Sequence, residues 1–251
     1  MNIIRFNTGL AEDALHEVIA RFESAKKNHD LFTILADSKA RFGLKNVAYL
    51  GYNLGTLSKT EPFSMVTYSD DWINHYRANN YFEVDPVLKA VHKSIVPLDW
   101  STLEISTKRA RIFFSEAISA GVGKFGLSIP VQGRHGDFSV LSLTFDETLE
   151  DWNFFKAHHM RDFQLLAVYF HNSVLEINRI KPPVFELSER ELEVLYWAAC
   201  GKTAEESAII LGISKRGIRF HISNILTKLN AVNIAHAVAK AINYRLVNPP
   251  R

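Results

Sequence analysis

Apolar positions along this chain change their period several times, and each change marks an element. Leu10, Ala14, Leu15, Val18, Ile19 and Phe22 recur at helical spacing and predict an amphipathic helix over residues 10–29. Asn46 to Tyr52 (NVAYLGY) and Phe63 to Tyr68 (FSMVTY) are rich in β-branched and aromatic residues and read as strands. Asp71 to Asn80 is polar and aromatic at helical spacing, and Ser106 to Ala120 reads as a helix stopped by Gly121 and Gly123. Two apolar runs, Gly126 to Val131 and Phe138 to Phe145, flank QGRHGD and predict a strand-turn-strand hairpin. Leu149 to Asn178 is one long helical pattern.

That pattern stops at Pro182-Pro183. Two prolines cannot continue a helix, and the residue before a proline is pushed to extended geometry. The expected organisation is α+β. Residues 1–178 form an N-terminal α/β/α sandwich with an antiparallel sheet, and 179–186 form a linker. Residues 187–251 form an all-α helix-turn-helix bundle.

The C-terminal stretch carries the clearest signals. Ser188 with Glu191 is a capping box: the hydroxyl accepts from a free N–H and the carboxylate reaches back. Leu192, Leu195, Tyr196 and Ala199 share a face, and Gly201 is placed to end that helix. Thr203 with Glu206 opens a second helix through Leu211, Gly212 supplies a turn, and Ser214 caps a third helix. In the third helix Ile218, Ile222, Ile225 and Leu229 form an apolar stripe. The opposite face carries Lys215, Arg216, Arg219, Ser223 and Lys228, with no acid between 214 and 229. A basic face beside a helix N-terminus suits phosphate, and Arg219 has the fork that pairs with guanine. The alternative is a solvated face of a three-helix bundle.

These residues resemble the DNA-binding domain of LuxR-type regulators. Glu191, Leu195 and Gly201 fall on three defining positions, and Lys202, Thr203, Ile213, Ser214, His221, Asn224, Lys228 and Leu229 follow the pattern. The resemblance implies DNA contact from Lys202, Thr203, Lys215, Arg216, Arg219, Phe220, Ser223, Asn224 and Lys228. Gly217 stands where the family usually has threonine, and Ile234 where arginine often follows asparagine. Glycine at 217 weakens helix initiation by up to ~1 kcal/mol relative to alanine.

The first 180 residues must supply the control. A receiver domain needs a parallel βαβ order with an acidic pair after its first strand, whereas the first fifty residues read helix, helix, strand. Tyr68, Trp72, Tyr76, Asp85-Pro86-Val87 and Trp100 instead set one carboxylate among aromatic rings. Each aromatic alone is ordinarily core, and Asp-Pro alone is a turn signal. Their joint spacing describes an apolar pocket with a few polar hooks. Trp only donates, Tyr donates or accepts, and an ionised Asp only accepts, so the set suits a ligand with two carbonyls and one N–H. The buried aspartate would need a donor partner.

The spacing Y-x-x-x-W-x-x-x-Y, then D-P, then W resembles the autoinducer-binding domain of quorum-sensing LuxR-type regulators. The resemblance implies an acyl-homoserine lactone or a close relative as ligand. It implies that Trp72 donates to the lactone carbonyl, Tyr68 donates to the acyl carbonyl and Asp85 accepts from the amide N–H. Tyr76 and Trp100 would wall the headgroup and acyl chain, Pro86 would aim Asp85, and Phe113 is a ligand residue that bears on the pocket's size. Ser142 would reach the acyl carbonyl or a 3-substituent, Val87 offers no hydroxyl beside Asp85, and Gly126 would allow close packing. Leu50, Tyr52, Phe114, Phe125 and Leu127 are further candidates for setting the pocket's size.

Composition narrows the remainder. The chain has 251 residues, 47% hydrophobic and 22% charged, and a formal net charge of +2, so nucleic-acid affinity must come from local clustering. One cysteine, Cys200, excludes an intramolecular disulfide and fits a reducing cytosol. Neither a signal-peptide order nor an uncharged apolar run long enough for a bilayer is present, which predicts a cytoplasmic protein. There is no H-E-x-x-H, G-x-S-x-G or Walker loop. His158 and His159 are adjacent and cannot share a helix face as metal ligands do, and His135 sits in a turn. No catalysis, metal or cofactor is assigned. The expected partners are a small autoinducer, a palindromic operator in double-stranded DNA and a second copy of the chain. A constitutive or non-lactone-responsive regulator with an N-terminal interaction module is the alternative, and ligand-released repression uses the same residues.

Overall fold

The computed structural model describes residues 8–58, 61–133, 136–180 and 184–249. The chain divides near residue 181 into two compact units. Pro182, Pro183 and His135 lie outside the described residues, as do the side chains of Leu10 and Ala14.

The first unit runs α1 (Thr8–Ser24), α2 (Asn28–Arg41), β1 (Asn46–Tyr52), β2 (Phe63–Val66), α3 (Asp70–Ala78) and α4 (Pro86–Val91). It continues with β3 (Leu98–Asp99), α5 (Lys108–Ser119), β4 (Phe125–Gln132), β5 (Phe138–Phe145) and α6 (Leu149–Ile177). The sheet order is β2-β1-β5-β4-β3, antiparallel throughout. Because side chains alternate along a strand, each strand serves both faces. Val47, Tyr49, Met65, Leu141 and Leu143 enter the main core with Phe22, Leu31, Trp152, Phe163 and Phe170. Helices α1, α2 and α6 close that face. Ala48, Leu50, Ser64, Val66 and Ser142 point to the other face, beneath α3, α4 and α5. The α/β/α layering read from the sequence is the observed one.

Local chemistry explains most element ends. Thr148 and Asp151 form a capping box at the start of α6, and the hydroxyls of Ser69 and Thr107 cap α3 and α5. The loop after α5 is tied to the sheet: Asn46 donates to Gly121 and Val122 carbonyls at 3.0 Å each, and Thr144 donates to Val122. The helix, helix, strand order expected of the first fifty residues is observed, but the first helix, expected over 10–29, ends at Ser24. The chain breaks between Ser24 and Asn28, where the Asp30 carboxylate accepts the Lys26 and Lys27 N–H groups at 2.9 and 3.0 Å. The strand expected to reach Tyr68 ends at Val66, while α4 and β3 were not foreseen.

The second unit contains α7 (Glu189–Ala199), α8 (Ala204–Leu211), α9 (Lys215–Lys228) and α10 (Ile234–Asn243). Its core joins Val194, Leu195, Ala208, Ile218, Ile225, Leu229, Ala237 and Ala241. Both expected capping boxes form. Gly212 turns the chain between α8 and α9 at φ 65°, a left-handed conformation that glycine adopts without a Cβ penalty. Gly217 does not disturb the start of α9, because its N–H donates to Ser214 Oγ at 3.0 Å. A Cβ there would meet nothing nearer than 3.5 Å, so space does not demand glycine.

Candidate functional site

Between the second face of the sheet and α3, α4 and α5 lies a cavity of about 100 Å³. Eight of the nine expected ligand residues line it: Tyr68, Trp72, Tyr76, Asp85, Val87, Trp100, Phe113 and Ser142. Pro86 does not; it opens α4 at the first helical position, where its missing N–H costs nothing. Leu50 and Phe114 also line the cavity. Phe125 and Leu127 serve the main core instead, and Tyr52 packs on His92 and Phe138. Sequence reading missed Ala48, Ser64, Val66, Ile73, Arg77 and Leu88. Strand alternation carries the signal for the first three, since Ala48 and Leu50 share one face of β1, and Ser64 and Val66 share the same face of β2.

The carboxylate is held from two sides. Asp85 caps α4, its Oδ1 accepting from the Val87 N–H at 2.8 Å and the Leu88 N–H at 3.4 Å. Its Oδ2 accepts from the Tyr76 hydroxyl at 2.9 Å. Tyr76 is therefore the donor partner a buried aspartate needs, as well as a wall. Burial pushes the Asp85 carboxyl up to about 6, with Tyr76 and the two amides pulling the other way. Burial likewise pushes the Tyr68 and Tyr76 phenols well above their usual range, reinforced by the Asp85 charge. They remain protonated donors at neutral pH.

The indole of Trp100 is engaged within the protein. Its Nε1 donates to Ser128 Oγ at 2.9 Å, and Ser128 Oγ meets Ser142 Oγ at 2.7 Å. The ring lies on Gly126, where a Cβ would fall 2.1 Å from it. Close packing at Gly126 is thus a space requirement set by Trp100. Asp99 caps the turn bearing Trp100 and pairs with Lys156 of α6. By contrast, the Trp72 indole N–H and the Tyr68 hydroxyl make no hydrogen bond among the described residues. The cavity thus presents two unengaged donors and one buried carboxylate among rings.

In the second unit Arg216, Arg219, Phe220 and Ser223 are exposed on α9, and Asn224 is half-buried. The basic face is acid-free in sequence but not in space. Lys215 pairs with Glu205, Lys202 with Glu206 at 3.7 Å, and Lys228 Nζ with Glu191 Oε2 at 2.7 Å. Lys228, expected at phosphate, bridges α9 to α7 here. Glu191 is buried; burial opposes its ionisation, but Lys228 and the Ser188 N–H outweigh it and hold the carboxyl below its usual range. Thr203, also expected at DNA, spends its hydroxyl on the Glu206 cap.

No helix among the described residues is long and apolar enough to cross a membrane, and no cluster of metal-ligating side chains is found among them.

Comparison with known proteins agrees with both units. Residues 27–174 match the family model of the autoinducer binding domain, and residues 186–241 match that of bacterial regulatory proteins of the luxR family. The transcriptional activator CarR of Pectobacterium carotovorum subsp. carotovorum is 32% identical over 83% of this chain and 89% of its own length. RaiR of Rhizobium etli, also a transcriptional activator, is 31% identical over 70% of this chain and 74% of its own. Escherichia coli SdiA shares the fold, with a TM-score of 0.68 at 22% identity over 95% of this chain and 99% of that one. The chain belongs to the LuxR family of bacterial transcriptional regulators, with an autoinducer-binding domain ahead of its DNA-binding helix-turn-helix.

Proposed function

We propose that residues 1–178 bind an acyl-homoserine lactone or a close acylated relative, and that residues 187–251 then read a palindromic operator as half of a homodimer. The observation that carries the ligand reading is the pairing of unengaged Trp72 and Tyr68 donors with the buried Asp85 acceptor in one cavity. Trp72 donates to the ring carbonyl, Tyr68 to the acyl carbonyl, and Asp85 accepts the amide N–H while Tyr76 holds its other oxygen. Ser142 faces the chain from the sheet. CepR2 of Burkholderia cenocepacia, described as N-acylhomoserine lactone dependent, has this fold with a TM-score of 0.55 at 19% identity. An SdiA structure holds octanoyl-rac-glycerol. That favours a second reading, in which the acyl chain is carried on a small hydroxylated head without an amide.

Dimerisation is supported by α6. Phe154, Leu165 and Val168 are 48%, 43% and 51% exposed, and their spacing keeps them on one stripe.

Thermal melts against lactones with short, long, branched and aryl chains, with octanoylglycerol alongside, test the sensor. A shift of several degrees with a lactone is expected, because a ligand at a hundredfold excess over Kd stabilises by ~2.7 kcal/mol. A shift with octanoylglycerol alone selects the second reading. A soluble, DNA-binding chain that responds to none returns the module to a ligand-independent role.

For the reader, Arg219→Ala is expected to lower specific binding by ~1–3 kcal/mol and to relax the preference at one base pair. A titration on operator variants reads this. An unaltered preference would place the base contact elsewhere on α9.

A further inference from the structure

The chamber that holds Trp72 and Asp85 has a neighbour at the edge of the sheet. A second cavity of about 480 Å³ lies outside it, and the two share Ser64, Val66, Ile73 and Arg77 as walls. Strand β2 is the edge strand, so no further strand closes the layer beyond Ser64 and Val66. Helix α3 covers the gap, with Ile73 on the apolar side and Arg77 at the junction. The outer groove adds Phe32 from α2 and the polar Asp70 and Asn74 from α3. The shared wall thus pairs two apolar side chains with two polar ones, and the outer groove adds the hydrogen-bonding Asp70 and Asn74. Arg77 is only loosely committed: its partner is the exposed Glu61 at 3.6 Å, and such surface pairs contribute little.

The volumes bear on how the two chambers relate. About 100 Å³ is small beside the ~300–1,000 Å³ of ordinary ligand pockets, so a headgroup on Trp72 and Asp85 leaves little room for a long chain. We propose that the chamber continues between β2 and α3 into the outer groove, and that this groove takes the distal end of a long acyl chain. Arg77 is then a specificity-determining residue that favours a chain ending in a hydroxyl over one ending in a methyl. A hydroxyl matches a wall offering both donors (Arg77, Asn74) and acceptors (Asp70, Ser64), which a carboxylate beside Asp70 would not.

The inference rests on the lactone reading, and the test separates the two. Kd is measured for N-butanoyl-, N-dodecanoyl- and N-(12-hydroxydodecanoyl)-homoserine lactone on the full chain and on Ser64→Phe and Arg77→Met. The native chain is expected to bind both long ligands, the hydroxylated one more tightly. Ser64→Phe, which adds bulk at a wall common to both chambers, is expected to weaken both long ligands by at least about tenfold more than it weakens the butanoyl lactone. Arg77→Met is expected to erase the hydroxyl's advantage. Binding of the butanoyl lactone with rejection of both long ones by the native chain would overturn the inference and keep the lactone reading. So would long-chain affinity untouched by Ser64→Phe. An equal response of native chain and Arg77→Met to the hydroxyl would overturn the role of Arg77. Failure of all three lactones would overturn both readings.

Discussion

Asp85→Asn is expected to melt higher than the native chain and to lose its response to ligand. The carboxyl sits near pH 6 in the fold, against 3.8 in an open chain, with burial as the main cause. A raised acid contributes stability that is fully present below the open-chain value and is lost as pH rises through the folded value. At neutral pH the ionised Asp85 therefore costs the empty protein roughly 3 kcal/mol relative to acid. Asparagine removes the charge and keeps an oxygen for the Val87 N–H, so a gain of about 1–3 kcal/mol is expected, or several degrees in a domain of this size. The same change puts an amide where a ligand N–H needs a strong acceptor. Melts of both chains with and without ligand check this. A variant less stable than the native chain would mean that the Tyr76 and α4 contacts, and not the desolvated charge, govern the site. In the native chain, ligand affinity should weaken as pH falls through about 6, because protonation removes the acceptor that binding requires.

Gly126→Ala is expected to be the most damaging one-carbon change at the site. The new Cβ would lie 2.1 to 2.4 Å from three ring carbons of Trp100. Strand β4 is paired on both sides and cannot retreat, so the indole must move and its bond to Ser128 breaks. Overpacking of this kind costs about 1–3 kcal/mol. The displaced ring also reshapes the cavity wall, so ligand affinity is expected to fall by about tenfold or more. Melting and ligand titration read the two effects separately. Trp100→Phe in the same chain, which shortens the ring, should recover part of the stability. If Gly126→Ala leaves melting and affinity unchanged, Trp100 is not held against the strand as described.

Much of this was legible in the residues. Capping boxes at Ser188 and Thr203 are local chemistry, complete within four residues, and both formed. The aromatic-carboxylate set was readable because Trp72 and Tyr76 share one side of α3 and Tyr68 stands just before its Ser69 cap. What escaped reading depends on partners distant in sequence. Strand β3 has two residues and no period to detect, and α4 is too short for an apolar stripe. The early end of the first helix is a local exception, since Asp30 captures the Lys26 and Lys27 amides within four residues. Ser128 looks like any strand serine until Trp100 is laid across the sheet. Likewise Lys228 reads as a basic-face residue until Glu191, thirty-seven positions earlier, is found beneath it.

Three lysines of the reader carry an acid each: Lys202, Lys215 and Lys228. Attraction to DNA regardless of its sequence comes from phosphates neutralised and counterions released, and so scales with the number of uncompensated cations. With those three charges compensated, Arg216 and Arg219 dominate that count on the exposed face of α9. A chromosome offers about 10⁶–10⁹ competing sites, and a reader bristling with free lysines would be spread thinly over all of them. The glutamates beside these lysines are therefore expected to keep that background grip weak, read as a shallow salt dependence of binding to DNA of arbitrary sequence.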